Sequence, residues 1–183
     1  LLLKRPVKFV ADRLESFASD IHARGQTVDA ALAATTDGRL AALSIDVLSG
    51  IGPYSVYPRT SILEGSQVLA LTGTCYRLEG YQAALRLAFQ NKTPMGAYRA
   101  VGHPIAMAVT ETLVDAVARR VGMDPVEIRR RNLIPDEAYP HTTLTGLVFE
   151  KLSHLKCLDK LVRMMDYEVL RHEQGRLRQE GVY

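Results

Sequence analysis

The spacing of apolar residues changes along this chain, and that change limits the possible folds more than any other feature. Up to about residue 95 apolar and polar residues alternate, and beyond about residue 104 apolar residues recur at three- and four-residue steps. The first spacing belongs to strands with one covered face and the second to amphipathic helices. Val28 to Thr35 is small and β-compatible. Thr36-Asp37-Gly38-Arg39 follows, and an Asp-Gly pair between two such runs predicts a hairpin with positive φ at Gly38. Leu40 to Leu48 then alternates, with Leu43, Ile45 and Val47 on one face and Ser44 and Asp46 on the other. Tyr81 to Phe89 alternates again, Leu85, Leu87 and Phe89 opposing Gln82 and Arg86. Val7 to Val10 reads as an earlier strand, and Asp12 to Ser19 as its extension or a short helix. Residues 49–60 read as loop because Gly and Pro punctuate them. Residues 61–71 read as a helix weakened by Gly65.

The second half predicts helices. Pro104 suits a first turn, Ile105, Val109, Leu113, Val117 and Val121 form a stripe flanked by Val114 and Ala118, and Gly122 is a stop. Asp124-Pro125-Val126-Glu127 is a helix start, with Asp124 as the N-cap and Glu127 three residues later. Ser153 opens a third helix with Leu155, Leu158, Val162 and Met165 on one stripe, and Asp166 caps a fourth that runs to about Glu180. Residues 135–152 form a linker with a short extended piece at Leu147 to Glu150. Strands followed by helices imply an α+β fold: an antiparallel sheet with a hairpin in the N-terminal half, and helices from the C-terminal half packed on it. The regions are β-rich 1–95, a loop at 96–104 and helical 104–183.

Composition excludes several classes. A net charge of +3 is too small to argue for nucleic acid. The basic clusters at Arg129-Arg130-Arg131 and 171–178 interleave with acidic residues and read as solvated helix faces. No apolar run approaches the ~20 residues of a membrane span, so no membrane partner is expected. Cys75 and Cys157 lie far apart with no Cys-x-x-Cys and no metal-ligand spacing, so no iron–sulfur cluster or zinc is expected on this chain. They read as two buried, reduced thiols. The start at Leu1-Leu2-Leu3-Lys4 suggests a piece of something longer.

The segment Asn91-Lys92-Thr93-Pro94-Met95-Gly96-Ala97-Tyr98-Arg99-Ala100-Val101-Gly102-His103-Pro104 resembles the active-site loop of the molybdenum hydroxylases, approximately N-K-x-P-x-G-A-Y-R-G-x-G-x-P. Three other blocks are similar to the same family, in order: Arg5-Pro6-Val7-Lys8-Phe9-Val10-Ala11-Asp12-Arg13, the stretch Glu111 to Ile134, and the tail from Cys157. The resemblance is to the molybdopterin-binding large subunit of the xanthine dehydrogenase, aldehyde oxidase and carbon monoxide dehydrogenase-like family. It implies hydroxylation of an aldehyde or N-heterocycle with oxygen from water, a molybdenum–molybdopterin cofactor in its cytosine dinucleotide form, iron–sulfur and FAD subunits or domains as partners, a small-molecule substrate and a cytoplasmic setting. It places Gly96, Ala97, Tyr98, Arg99 and Ala100 against the cofactor and Val101 on the substrate side.

Departures narrow the chemistry. Ala100 stands where copper-binding carbon monoxide dehydrogenases carry a cysteine. Val101 replaces the phenylalanine of purine hydroxylases, and equal spacing puts Gln67 where they carry a substrate-binding arginine. His103 reads as a satisfied turn residue beside the loop. The family's general base is a glutamate that falls beyond Tyr183, and neither Glu111 nor Glu127 matches it. The resemblance therefore gives this chain no catalytic residue and no metal ligand of its own, and the isolated piece is expected to be inactive and free of cofactor. The alternative is a scaffold domain that kept the fold without the chemistry. A complete small oxidoreductase with another cofactor finds no Gly-x-Gly-x-x-Gly or P-loop to support it.

Overall fold

A computed structural model describes residues 2–182. Strands β1 (Gln26–Ala34) and β2 (Leu40–Gly52) are joined at Thr35 to Arg39, where the Thr35 N–H donates to the Arg39 carbonyl at 2.9 Å and Gly38 has φ +84°. Only antiparallel neighbours accept so short a link, so the predicted hairpin is present. β2 is longer than expected. Residues 49–52, read from sequence as loop, continue the strand, with Ser49 and Ile51 buried. Gly and Ser depress strand propensity, but here the Gly50 N–H donates to the Gly25 carbonyl, and the Ile51 and Gly52 carbonyls accept from Met95 and Gln90.

Strand β3 (Gly80–Phe89) completes the order β1-β2-β3. The Ala41 carbonyl accepts from Glu79 at 2.7 Å and the Gly52 carbonyl from Gln90 at 3.0 Å, so β2 and β3 advance together and are parallel. The α+β class holds, but the sheet is mixed instead of antiparallel throughout. The intervening helix α2 (Leu63–Leu71) supplies the crossover that a parallel neighbour requires. On β3 the predicted apolar face is only partly covered: Leu85 is half-buried, while Leu87 and Phe89 are exposed.

Upstream, Val7 to Val10 is not a strand, and Val7, Phe9 and Val10 are exposed with no ladder to join. The following segment is helix α1 (Arg13–Ser19), opened by a capping box: the Asp12 carboxylate accepts from the Glu15 N–H, and the Glu15 carboxylate accepts from the Asp12 N–H, both at 2.8 Å.

Packing divides the chain into two units. The first comprises Leu1–Asp29, Ile45–Leu71 and Ala83–Met107. Ile45, Val47, Ile51, Val68 and Met95 are buried in it, with Ser49, Ser61 and Glu64 as buried polar residues. Gly65 does not break α2, because a Cβ there would sit 2.7 Å from Leu85 Cδ1. The residue that weakens the helix is what lets it lie close to β3.

The second unit comprises Ala30–Ser44, Thr72–Gln82 and Ala108–Tyr183, with a core of Leu40, Tyr76, Val114, Ala118, Ile128 and Leu133. Helix α3 (His103–Val121) has the predicted extent, but its buried row is Ala106, Thr110, Val114 and Ala118, so the expected flank of Val114 and Ala118 is buried in place of the expected central stripe. Small side chains there allow close packing, and the larger Val and Leu side chains flank the contact. Helix α4 (Pro125–Asn132) starts as predicted, the Asp124 carboxylate accepting from the Val126 and Glu127 N–H groups. A 3-10 turn (Asp136–Ala138) precedes strands β4 (His141–Thr142) and β5 (Val148–Phe149), which pair antiparallel within the predicted linker. Helices α5 (His154–Met164) and α6 (Tyr167–Gln179) close the chain. Asp166 does not cap α6: it has φ +46° and makes no side-chain cap bond. Cys157 is exposed, against expectation, while burial pushes the Cys75 thiol up to about 12, aided by the nearby Glu111. Among the described residues no helix is long and apolar enough to cross a membrane.

Candidate functional site

The loop that carries the sequence motif is built within the first unit, and its path is fixed at both ends. At its start the Gly96 N–H donates to the His22 carbonyl and the His22 N–H to the Pro94 carbonyl, both at 2.9 Å. The buried Ser61 hydroxyl donates to the Met95 carbonyl at 2.6 Å. The loop then turns sharply: Ala100 and Val101 have φ +62° and +46°, which side-chain-bearing residues adopt only under constraint. The Val101 N–H donates to the Tyr98 carbonyl at 2.6 Å, and the His103 N–H to the Ala100 carbonyl at 2.9 Å. At the far end the Gly102 N–H donates to Gln67 Oε1 at 3.0 Å. A Cβ on Gly102 would lie 2.6 Å from the Val68 nitrogen, so only glycine passes this close to α2.

Beside the loop stands a charge pair that sequence reasoning did not find. Glu64, in the first turn of α2, is 1% exposed. Its carboxylate accepts from the Arg24 backbone N–H at 2.9 Å and from Arg24 Nη1 at 3.0 Å. Arg24 itself has φ +65°. Its Nη2 donates to the Arg99 carbonyl, and its guanidinium lies 5.8 Å from the centre of the Tyr98 ring. Nothing in the sequence separates Arg24 and Glu64 from ordinary surface charges, because they stand 40 positions apart.

The residues singled out from sequence therefore converge on one loop. Ala97 is half-buried, Tyr98, Arg99 and Ala100 are exposed, and Val101 is half-buried. Gly96 is buried, and the space its missing Cβ leaves is met by Ile21, 2.8 Å from the Cβ position, and by Val56. The close approach it permits in this chain is to its own side chains. Gln67 is brought to the loop, where its Oε1 supports the backbone at Gly102. His103 is exposed, with Nδ1 3.0 Å from the Ala100 carbonyl, a satisfied turn histidine.

With this geometry established, comparison with known proteins is decisive. Residues 1–133 match the molybdopterin cofactor-binding domain family. The chain belongs to that family. The chain is 36% identical over 99% of its length to the nicotine 6-hydroxylase large subunit of Paenarthrobacter nicotinovorans, and covers 22% of that protein. It is 30% identical over 96% of its length to the carbon monoxide dehydrogenase large chain of Hydrogenophaga pseudoflava, again covering 22%. Quinoline 2-oxidoreductase from Pseudomonas putida 86 superposes with a TM-score of 0.88 at 32% identity, over 98% of this chain and 23% of that one. The chain thus spans about a fifth of the length of the relatives it matches.

The second unit of this molybdopterin-binding domain holds two further polar features. Arg129, read from sequence as part of a solvated face, is only 18% exposed. Its guanidinium donates to Glu111 at 2.6 and 2.8 Å and to Asp115 at 2.8 Å, and the Tyr76 hydroxyl donates to Glu111 at 3.0 Å. Burial alone would lower the Arg129 pKa, but bonds to Asp115 and Glu111 outweigh it and raise it; burial, then Glu111, raises that of Tyr76. This ties α3 to α4. A cavity of about 270 Å³ is lined by Thr72, Tyr76, Arg77, Tyr81, His141 and Thr143 among others, and contains none of the loop residues.

Proposed function

We propose that this chain is part of the large subunit of a molybdenum hydroxylase, an oxidoreductase that hydroxylates an N-heterocycle or an aldehyde with oxygen from water. One observation carries the reading. The backbone N–H groups of Ala97, Tyr98, Arg99 and Ala100 meet no acceptor among the described residues, and they lie in the stretch where the family motif runs. Successive donors of this kind suit the oxygens of an anionic group, so the loop fits a molybdopterin cofactor. Ala97 to Ala100 would hold it through the backbone, with Gly96 on the cofactor side as the buried start of the loop, tied to the His22 carbonyl, and Arg99 adding positive charge; Val101 and Gln67 belong to the substrate side. When bound, the cofactor supplies oxygen insertion and accepts the electrons removed from the substrate.

The chain's own share is to position and to exclude. Val101 offers an aliphatic wall, and the methyl of Ala100 has no ligand for copper. The names of two relatives, nicotine 6-hydroxylase and quinoline 2-oxidoreductase, favour an N-heterocycle over an aldehyde. The cytosine dinucleotide form, iron–sulfur and FAD partners and a cytoplasmic setting complete the proposal. By itself the piece is inactive and holds no molybdenum, since it contributes one cofactor-facing loop and no general base.

Paired variants of the full-length enzyme test the assignment. Arg99→Ala loses most turnover, while Arg130→Ala loses little. Val101→Phe shifts relative kcat/KM toward flat aromatic substrates by about three- to tenfold, on the scale of one aromatic contact, with molybdenum content near wild type. Equal turnover of Arg99→Ala and Arg130→Ala, or metal loss without a change of substrate preference in Val101→Phe, removes the loop from the site.

A further inference from the structure

The geometry points to Arg24 as the positioning residue of the 96–101 loop, set in place by Glu64; this inference rests on the reading of that loop as the cofactor-side segment. A carboxylate that is 1% exposed is costly to bury, and a well-packed apolar pair would hold α2 at least as firmly. The pair's cost is offset by what the guanidinium does beyond neutralising Glu64. Its planar fork offers donors in fixed directions. One nitrogen takes Glu64 Oε1 at 3.0 Å, another takes the Arg99 carbonyl, and the flat face lies 5.8 Å from the Tyr98 ring centre. Two consecutive loop residues are therefore fixed by one side chain, one through its backbone and one through its ring.

Arg24 is in turn held in a backbone conformation it does not favour. Its φ of +65° is maintained by the second carboxylate oxygen, which accepts the Arg24 N–H at 2.9 Å. Glu64 thus fixes both ends of Arg24, backbone and head group. With the Arg99 carbonyl fixed, the peptide plane between Arg99 and Ala100 is fixed as well, and with it the direction of the Ala100 N–H. That plane leads directly into the left-handed turn at Ala100 and Val101. Arg24 acts through the loop and touches no substrate. A lysine could pair with Glu64, but a single ammonium cannot also present a plane to Tyr98 and a second directed donor to Arg99.

Hydrogen–deuterium exchange of the full-length protein, prepared with and without cofactor, reads the loop directly. In Arg24→Gln the amides of Val101, Gly102 and His103 are expected to exchange about tenfold faster or more in the cofactor-free protein, while those of Val114 to Ala118 on α3 stay as in wild type. Arg24→Lys is expected to fall between. In the loaded protein Arg24→Gln lowers molybdenum content and kcat, with KM less affected. Unchanged loop exchange in a folded Arg24→Gln protein overturns the inference. Should that variant fail to fold, Arg24→Lys decides the matter by the same readout: wild-type exchange overturns it and faster exchange supports it. Faster loop exchange with full molybdenum content and full turnover supports the positioning role and instead overturns the reading of the loop as cofactor-side.

Discussion

Asn132 offers the sharpest test of what holds the second unit together. It is 2% exposed, and its side chain makes three hydrogen bonds, each 2.8 Å: it accepts from the Leu40 N–H and donates to the Gly38 and Ile128 carbonyls. The end of α4 is thereby bonded to the hairpin turn, more than 90 residues away in sequence. Asn132→Ala leaves the Leu40 N–H and the Gly38 carbonyl without these partners; the Ile128 carbonyl also lies within α4. Each buried backbone group left unpaired costs about 1–3 kcal/mol, so the variant is expected to lose about 2–6 kcal/mol. A domain of this size has ~5–15 kcal/mol in total, and the loss corresponds to a fall in Tm on the order of 10 °C. Asn132→Asp keeps an acceptor for Leu40 but sets a carboxylate oxygen against the Gly38 carbonyl, so it should cost at least as much. Urea unfolding followed by circular dichroism, with the slope compared as well as the midpoint, measures both. A stability for Asn132→Ala within about 0.5 kcal/mol of wild type, the range of an ordinary surface change, would refute the reasoning.

Two further outcomes follow from the second unit. Arg129→Ala strands two carboxylates that Arg129 now neutralises and is expected to lose about 2–4 kcal/mol, somewhat below a fully buried pair; Arg130→Ala, which breaks an exposed 2.9 Å pair with Asp159, should lose less than about 1 kcal/mol, and equal losses in urea titrations would count against the distinction. Burial lowers the His154 pKa below its ordinary value of 6.5, and Nδ1 lies 2.9 Å from the Tyr139 hydroxyl. The unfolded chain therefore binds the proton first, and this group's contribution is full above pH 6.5 and lost as pH falls from there through the lower folded value, with a slope under ~1.4 kcal/mol per pH unit. The stability difference between wild type and His154→Gln, measured from pH 7.5 to 5, should shrink on acidification; a flat difference would show that the ring is not held neutral.

Features that depend on near neighbours in sequence were legible. The Asp-Gly turn and the Asp124-Pro125 helix start each specify their own backbone, and the structure has both where the residues put them. The loop from Gly96 to Val101 could be singled out because its motif is contiguous. Strand direction was not legible: the alternation of β3 is the same whether it runs with β2 or against it, and only the α2 crossover decides. The buried row of α3 was centred one position off because Ala106 and Thr110 signal burial weakly while Ile105, Val109 and Leu113 signal it strongly; its other members, Val114 and Ala118, were read as the flank. Arg24 and Glu64 gave no sign at all, since an isolated arginine and an isolated glutamate become a pair only when the fold brings α2 to the chain before β1. Gln67 was reached by spacing alone, and the structure gives it a definite contact at Gly102.

The left-handed backbone at Ala100 and Val101 has a consequence for how such a loop changes over time. Each residue sits in a conformation that costs an L-amino acid ~1–2 kcal/mol, and neither is held there by its own side chain. Tyr98 fixes the Val101 amide, Gln67 fixes the Gly102 amide, and Arg24 fixes the carbonyl just before the turn. The shape is a property of the frame, and the two side chains are interchangeable inserts. Any side-chain-bearing residue placed at 101 inherits much the same direction, at a penalty that is greatest for a β-branched one such as valine. Selection can therefore exchange the group presented there, valine or a ring, without redrawing the path of the four N–H groups beside it that meet no acceptor among the described residues. On the proposed reading of the loop, what it holds and what it admits become separately adjustable, one set by the clamp residues and the other by a single codon.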